Sequence, residues 1–556
     1  MTRTDGLVAV PAVDVASAAR LQTLLAVAAV VAVALVARAL AAAVIVFPKP
    51  EDTAYYVGVA RNLVEGRGLV SDALWSYQTP PLILPRPAFE VWLPLPTFLA
   101  AIPMAILGPT FASAQVSSVV MGALVPVLAW RVAADAAAER GLPPGRAAVL
   151  AAGAGLTTAV YLPLVLHSAL PDSTIPFAIL VLTACLLMAR IAARPRAARA
   201  NDVRLLGLGV VLGLAALTRN EAVWLALTWV VVASSAIGTS RRVRLRLVAI
   251  PAIVAFAVFA PWAIRDWIAF GSPLPGQALT NALSLTGRDI FAWADPPTLQ
   301  RYLAAGWATL IELRVTGVLH NLLNVLVLLG IPISVIGLAA MPWFGTGRAL
   351  RPLVIFSLLT FTITSLLFPV ATTWGTFLHA AGAIHVLLVV ACLLALDRAI
   401  VAIGRRRAWT NPVAWLGPAL TVFGAAVFTV AVLPSFGASS RETQQLYASL
   451  GTAMDRAGEP LVAAGPVITN FPIWLSETAG IRALALPDEP PTSVVALARS
   501  FPGARLVVVI GTDGRYPAAI DAREPGSECF QEVSLRRDPG VPGPFADARV
   551  FRLVCP

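Results

Sequence analysis

Two adjacent acids, Glu51 and Asp52, stand where a long apolar run ends. A carboxylate at the rim of a membrane bundle can take a proton from a hydroxyl or ligate a divalent metal, and such groups are costly to desolvate without a use. The same pair also suits the cap of a helix beginning near Thr53, where negative charge meets the N-terminal dipole. The stretch DTAYYVGVARNLVEGRG that follows has helical spacing, with Tyr56, Ala60 and Leu63 on one side and a stop at Gly66 and Gly68.

Other groups of the right chemistry are spread along the chain. Arg86 precedes Pro87 in PRPAFEVWLPLP, where its fork suits a phosphate or a lipid head group. Asp172 in LHSALPDSTIPF is a second acid, or the cap of a helix starting at Thr174. Arg219 and Glu221 in LTRNEAVW form a polar break between two apolar runs, either a site or a turn ion pair of little worth when wet. Arg265 and Asp266 in APWAIRDWIAFGSPLP stand at the end of another run; Arg265 binds phosphate or pairs with its neighbour. His379 and His385 are six apart and share no helix face well, which argues against a two-histidine metal site between them. His379, nearer the outer end, is the candidate of the two, with a satisfied helix histidine as the ordinary alternative.

These residues need a scaffold, and composition defines it. The chain has 556 residues, 58% hydrophobic and 13% charged, with a mean hydropathy of +0.79. Repeated apolar runs of about 20 residues make a polytopic all-α membrane domain. Expected spans are 21–46, 111–131, 147–166, 174–190, 205–218, 221–238, 247–268, 315–341, 351–369, 375–397 and 412–434, about eleven in all. The first run is too long for a signal-peptide core and lacks a convincing cleavage site.

The net charge of +11 is almost wholly arginine, with Lys49 the single lysine. That charge sits in short loops between apolar runs, so it reports topology and not nucleic-acid binding. Placing the proline-rich 91–108 along the surface puts Arg131, Arg140 and Arg146 on the N-terminal side. Arg190–Arg204, Arg241–Arg246, Arg348, Arg351 and Arg398–Arg407 then fall there too. The positive-inside rule makes that side cytoplasmic. Residues 1–20 are then a cytoplasmic N-terminus, 21–434 the membrane domain, and 47–110 a long first external loop with juxtamembrane helices. The candidate acids gather at the external face.

After the last span, PVITN, RALALP, RLVVVIG and VFRLVC alternate with helical stretches. This predicts a small external α/β domain over 435–556. An oxidising compartment permits a Cys529–Cys555 disulfide there, with two free thiols the alternative.

The pattern from Asp52 through Tyr56, Ala60, Arg61, Leu63 and Gly66, directly after the first span, resembles the first external loop of GT-C glycosyltransferases. More narrowly, it is similar to the protein O-mannosyltransferase and lipid A aminoarabinose transferase branch. The order of Arg86-Pro87, Asp172, the Thr218-Arg219 pair and the Pro-Trp-x-x-Arg segment at Arg265 extends the likeness over roughly residues 20–400. Three departures stand out: the Glu51-Asp52 order, arginine in place of lysine at 86, and a C-terminal module that lies outside the resemblance.

The resemblance implies a membrane enzyme that moves a sugar from a polyprenyl-phosphate donor to a lipid, glycan or protein acceptor, at a multi-pass location in the plasma membrane. Asp52, with Glu51 beside it, would be the catalytic carboxylate. Arg86, Asp172, Arg219, Glu221, Arg265, Asp266, Tyr56 and His379 would line the substrate site. A divalent metal, Mg or Mn, is optional and would sit on Asp52 and Asp172. Two other readings fit a polytopic chain. One is a lipid-sugar flippase or transporter, for which Arg38 is the single deep charge. The other is a non-catalytic assembly protein, because fold alone does not establish activity. Acids at one face and the lack of an evident inverted repeat weigh against transport.

Overall fold

The computed structural model describes residues 15–193, 198–235, 240–409, 413–463, 465–512, 514–535 and 548–555. Arg194 and Arg196, two of the loop arginines used to orient the chain, lie outside that set. Among the described residues, seven helices are long and apolar enough to cross a membrane. The pair Pro144–Ala159 and Leu162–Ser168, bent by 52°, makes an eighth if taken as one span. The other expected spans fall on Ala198–Ala216 and on the shorter helices Ala222–Ser234, Ile333–Phe344 and Arg351–Leu367. Helix length thus gives seven or eight crossings where hydropathy suggests eleven.

The expected span 315–341 illustrates the difference. Helix Gly306–Leu319 passes into a π-helical stretch, His320–Val327, and a short 3-10 turn ending at Gly330. A new helix starts at Ile333, after Pro332. Proline offers no N–H to continue the ladder, and hydropathy is blind to such a break. Within 91–108, the helix Leu95–Leu107 has 13 residues. At 1.5 Å per residue it spans about 20 Å, too short for a hydrocarbon core of about 30 Å.

The last span does not stop at the membrane. Leu416–Arg456 is a single helix of 41 residues that continues past Pro434. The C-terminal sheet that follows has the order β2-β5-β4-β6-β8-β7. Strands β4 (Val467–Thr469), β5 (Ala483–Ala485), β6 (Leu506–Ile510) and β8 (Ala548–Leu553) are the four runs expected from sequence. β7 is Phe530–Glu532, and Cys529 is bonded to Cys555 beside it. β2, however, is Ala73–Leu74 from the loop after the first span, paired in parallel with β5. Two residues are too few to read as a strand, so the sequence gives no hint that this loop completes the sheet.

One core joins the two parts. Tyr55, Trp75, Trp92 and Phe291, from segments between the long helices, pack with Ile468, Leu484 and Val507 of the sheet. Helix Glu51–Val64 is held between bundle and sheet. Arg61 pairs with Glu477 at 2.6 Å, and the Trp474 indole donates to the Pro48 carbonyl at 3.1 Å. A short antiparallel pair, β1 (Val70–Ser71) with β3 (Arg86–Pro87), folds the loop back over this helix.

Candidate active site

Helix Glu51–Val64 begins immediately after Pro50, whose rigid ring suits a helix start. Its first two side chains part company. Glu51 is buried; its carboxylate accepts the Ile473 N–H at 3.1 Å and faces the Trp75 indole N–H at 3.4 Å. Burial pushes its pKa up to about 8, against these hydrogen bonds. Asp52 keeps 25% of its side chain exposed and faces a cleft of about 600 Å3. Tyr56, one turn on, lines the same cleft, as helical spacing requires.

Glu90, Arg219, Glu221 and Asp266 complete the cleft's charged lining. Arg219 is the single guanidinium among the described lining residues. Its Nε and Nη2 grip Glu221 at 3.0 and 2.8 Å, Nη1 donates to Ser173 Oγ at 2.7 Å, and Nη2 reaches the Thr376 carbonyl at 3.2 Å. One side chain therefore ties together three turns.

Behind Asp52 lies a buried cluster. His379 Nε2 stands 3.4 Å from Asp52 Oδ2, while His379 Nδ1 is 2.8 Å from Thr174 Oγ1 and 3.5 Å from Asp172 Oδ2. His167 Nδ1 approaches the same Asp172 oxygen at 3.4 Å. Asp172 also caps the next helix, accepting the Thr174 N–H at 2.8 Å. Asp172 thus joins a cap contact to membership of the buried cluster. Burial pushes Asp172 up, but hydrogen bonds and charge from His167 and His379 outweigh it and hold the carboxyl below the usual carboxylate range.

Arg86 and Arg265, expected to meet phosphate, do not line the cleft. Arg86 is wholly buried, 3.2 Å from Glu90, and donates to the carbonyls of Ser76 and Thr79 at 3.2 and 2.7 Å. Arg265 donates to the Ala88 carbonyl at 2.7 Å, pairs with Asp266 at 2.9 Å and lies over the Trp262 ring. Both brace the loop that carries Glu90, which faces the cleft together with Asp266 of helix Arg241–Phe270. Nor do Asp52 and Asp172 form the expected metal pair. The donors that converge are His167, Asp172 and His379, within 4.8 Å of one another. His167 was missed, although it stands five residues before Asp172 in the same segment; His385 sits apart, 3.4 Å from the Tyr161 hydroxyl.

A family model described as dolichyl-phosphate-mannose-protein mannosyltransferase matches residues 86–265, about a third of the chain. No curated protein sequence matches. Among solved structures, ArnT from Cupriavidus metallidurans bound to undecaprenyl phosphate is similar, with 15% identity and a TM-score of 0.56 over 95% of this chain and 97% of that one. The Archaeoglobus fulgidus oligosaccharyltransferase in complex with Zn and sulfate is similar at 12% identity and a TM-score of 0.52, over 86% of this chain and 68% of that one. The fold is therefore like that of these two structures, and the chain is a multi-pass membrane protein.

Proposed function

We propose that this chain transfers a sugar from a polyprenyl-phosphate donor to an acceptor hydroxyl at the external face of the plasma membrane. One observation carries the reading: a partly exposed carboxylate, Asp52, shares a cleft with a fixed guanidinium, Arg219, in a fold similar to that of an enzyme crystallised with undecaprenyl phosphate. Asp52 accepts the acceptor's proton as its oxygen bonds to the anomeric carbon. The bond from that carbon to the phosphate oxygen breaks, and the polyprenyl phosphate leaves with the electron pair. A single displacement inverts the anomeric centre. Arg219 offsets charge on the departing phosphate. His379, facing Asp52 from behind, orients the carboxylate.

The cluster of His167, Asp172 and His379 fits a divalent cation: two imidazole nitrogens and one carboxylate oxygen point at one another. Such a set suits zinc or manganese better than magnesium, which favours oxygen ligands. A cation there would supply positive charge behind Asp52. The reading is tested by lipid mass spectrometry on a deletion strain complemented with wild type or Asp52→Asn. A polyprenyl-linked sugar that accumulates in the deletion and in Asp52→Asn, and clears with wild type, supports it. An Asp52→Asn strain indistinguishable from wild type removes Asp52 from the mechanism.

A further inference from the structure

Arg38 lies in the membrane within the first helix, Val15–Val44, and is wholly buried. A charge at such a place is expensive to desolvate and ordinarily marks a task. The hydrogen-bond acceptors around it are all neutral oxygens: the carbonyls of Ala34, Thr158 and Ala159, and the hydroxyl of Ser168. A transport charge needs an exchangeable ionic partner, and none is bonded to it among the described residues.

What Arg38 does hold is a broken helix. Pro144–Ala159 ends and Leu162–Ser168 begins with a bend of 52°. Continuation of the ladder would need residue 163 to donate to the Ala159 carbonyl, and residue 163 is proline, which has no N–H. Arg38 Nη1 supplies the missing donor at 2.9 Å. Its Nε reaches Ser168 Oγ, at the far end of the short helix, at 3.1 Å. Only a forked, multi-donor group can hold both ends at once; a lysine ammonium is a point. Gly122 leaves room for this arrangement, since a Cβ there would lie 2.7 Å from Arg38 Nε and collide with Ser168. Gln115 adds a second tie a turn outward, its amide donating to the carbonyls of Ala169 at 2.8 Å and Ile45 at 3.0 Å.

The two ends of this tie lead to the two halves of the site. From the end of the first helix at Val44 the chain passes through Pro48–Pro50 to Asp52. The short helix ends on His167 and Ser168 and leads into the turn that carries Asp172. We propose that Arg38 is a positioning residue: its guanidinium stands in for the donor that Pro163 lacks, and so sets His167 and Asp172 in register with Asp52. The role rests on the reading of Asp52 as the site's acid.

The test uses the full chain in lipid nanodiscs. It has four histidines, so isotope labelling of histidine gives a small set of imidazole signals, assigned by single His→Gln variants. Arg38→Lys and Gly122→Ala are expected to move the His167 and His379 signals while leaving that of His320, which lies on another helix, in place. Transfer from a polyprenyl-phosphate sugar should fall by about 10²-fold in kcat with KM little changed, the scale of an ångström-sized misplacement. Gly122→Ala removes no charge, so it carries the test if the arginine variants do not fold. Unmoved His167 and His379 signals in folded variants that lose only thermal stability would overturn the proposal. The histidine signals are read without any sugar donor, so they distinguish this failure from a failure of the transferase reading.

Discussion

Glu51 and Asp52 are neighbours in sequence and face different partners: Glu51 accepts the backbone N–H of Ile473 in the C-terminal domain, and Asp52 faces His379 and the cleft. The acid pair that looks like one catalytic unit is a cleft-lining residue beside an anchor. Asp52→Asn should therefore lower kcat by about 10²–10⁴-fold, the usual worth of a general base. Glu51→Gln keeps an acceptor for Ile473 and should leave turnover within a few-fold of wild type. Steady-state kinetics on both purified variants checks this; equal losses would put the two acids back together.

The anchor gives a pH dependence with a definite sign. Burial raises the folded-state pKa of Glu51 to about 8, above its ordinary value. The stability of the neutral, buried carboxyl is full below the ordinary glutamate value and is lost as pH rises through about 8. The melting temperature should thus fall between the ordinary glutamate value and about pH 8 and level off above it, and Glu51→Gln should flatten that fall. A wild-type curve that rises there would contradict the burial argument.

Arg219 is expected to serve the leaving phosphate. Arg219→Lys keeps the charge but loses the fork that holds Glu221 and Ser173. A loss of about 10²-fold in kcat is expected, on the scale of removing one donor to developing charge. Because the change also loosens three turns, Glu221→Gln is the control; it should cost stability more than turnover.

Arg86 should matter to folding and not to chemistry. Its replacement by Met leaves Glu90 buried and unpaired, a change worth about 3–5 kcal/mol. Adding Glu90→Leu should return much of that stability, as read by denaturant or thermal unfolding in detergent. Normal stability with abolished donor binding would instead restore Arg86 to the phosphate site.

For the metal, isothermal titration of the chelator-stripped protein with Zn or Mn should show one site. That site should vanish in Asp172→Asn and in His167→Gln, yet survive Asp52→Asn. Loss of binding in Asp52→Asn would return Asp52 to the ligand set.

The architecture was legible where it rests on local pattern. The membrane class followed from apolar runs, and four strands of the C-terminal sheet from short apolar segments bounded by turns. Asp52, Tyr56, Arg219, Glu221 and Asp266 were all named from sequence, and all line the cleft. What stayed hidden depends on contacts distant in the chain. Nothing local tells that Ala73–Leu74 joins a sheet some 400 residues away, or that Arg86 is enclosed by the carbonyls of its own loop. His167 escaped because its partner His379 is 212 positions later, and a pairing of that kind has no spacing to read.

The most direct measurement is a structure of this protein with undecaprenyl phosphate. The phosphate should lie in the cleft against Arg219, with Asp52 across from it and the polyprenyl chain leading out towards the bilayer. A lipid phosphate bound elsewhere, with the space between Asp52 and Arg219 left to other groups, would contradict the account.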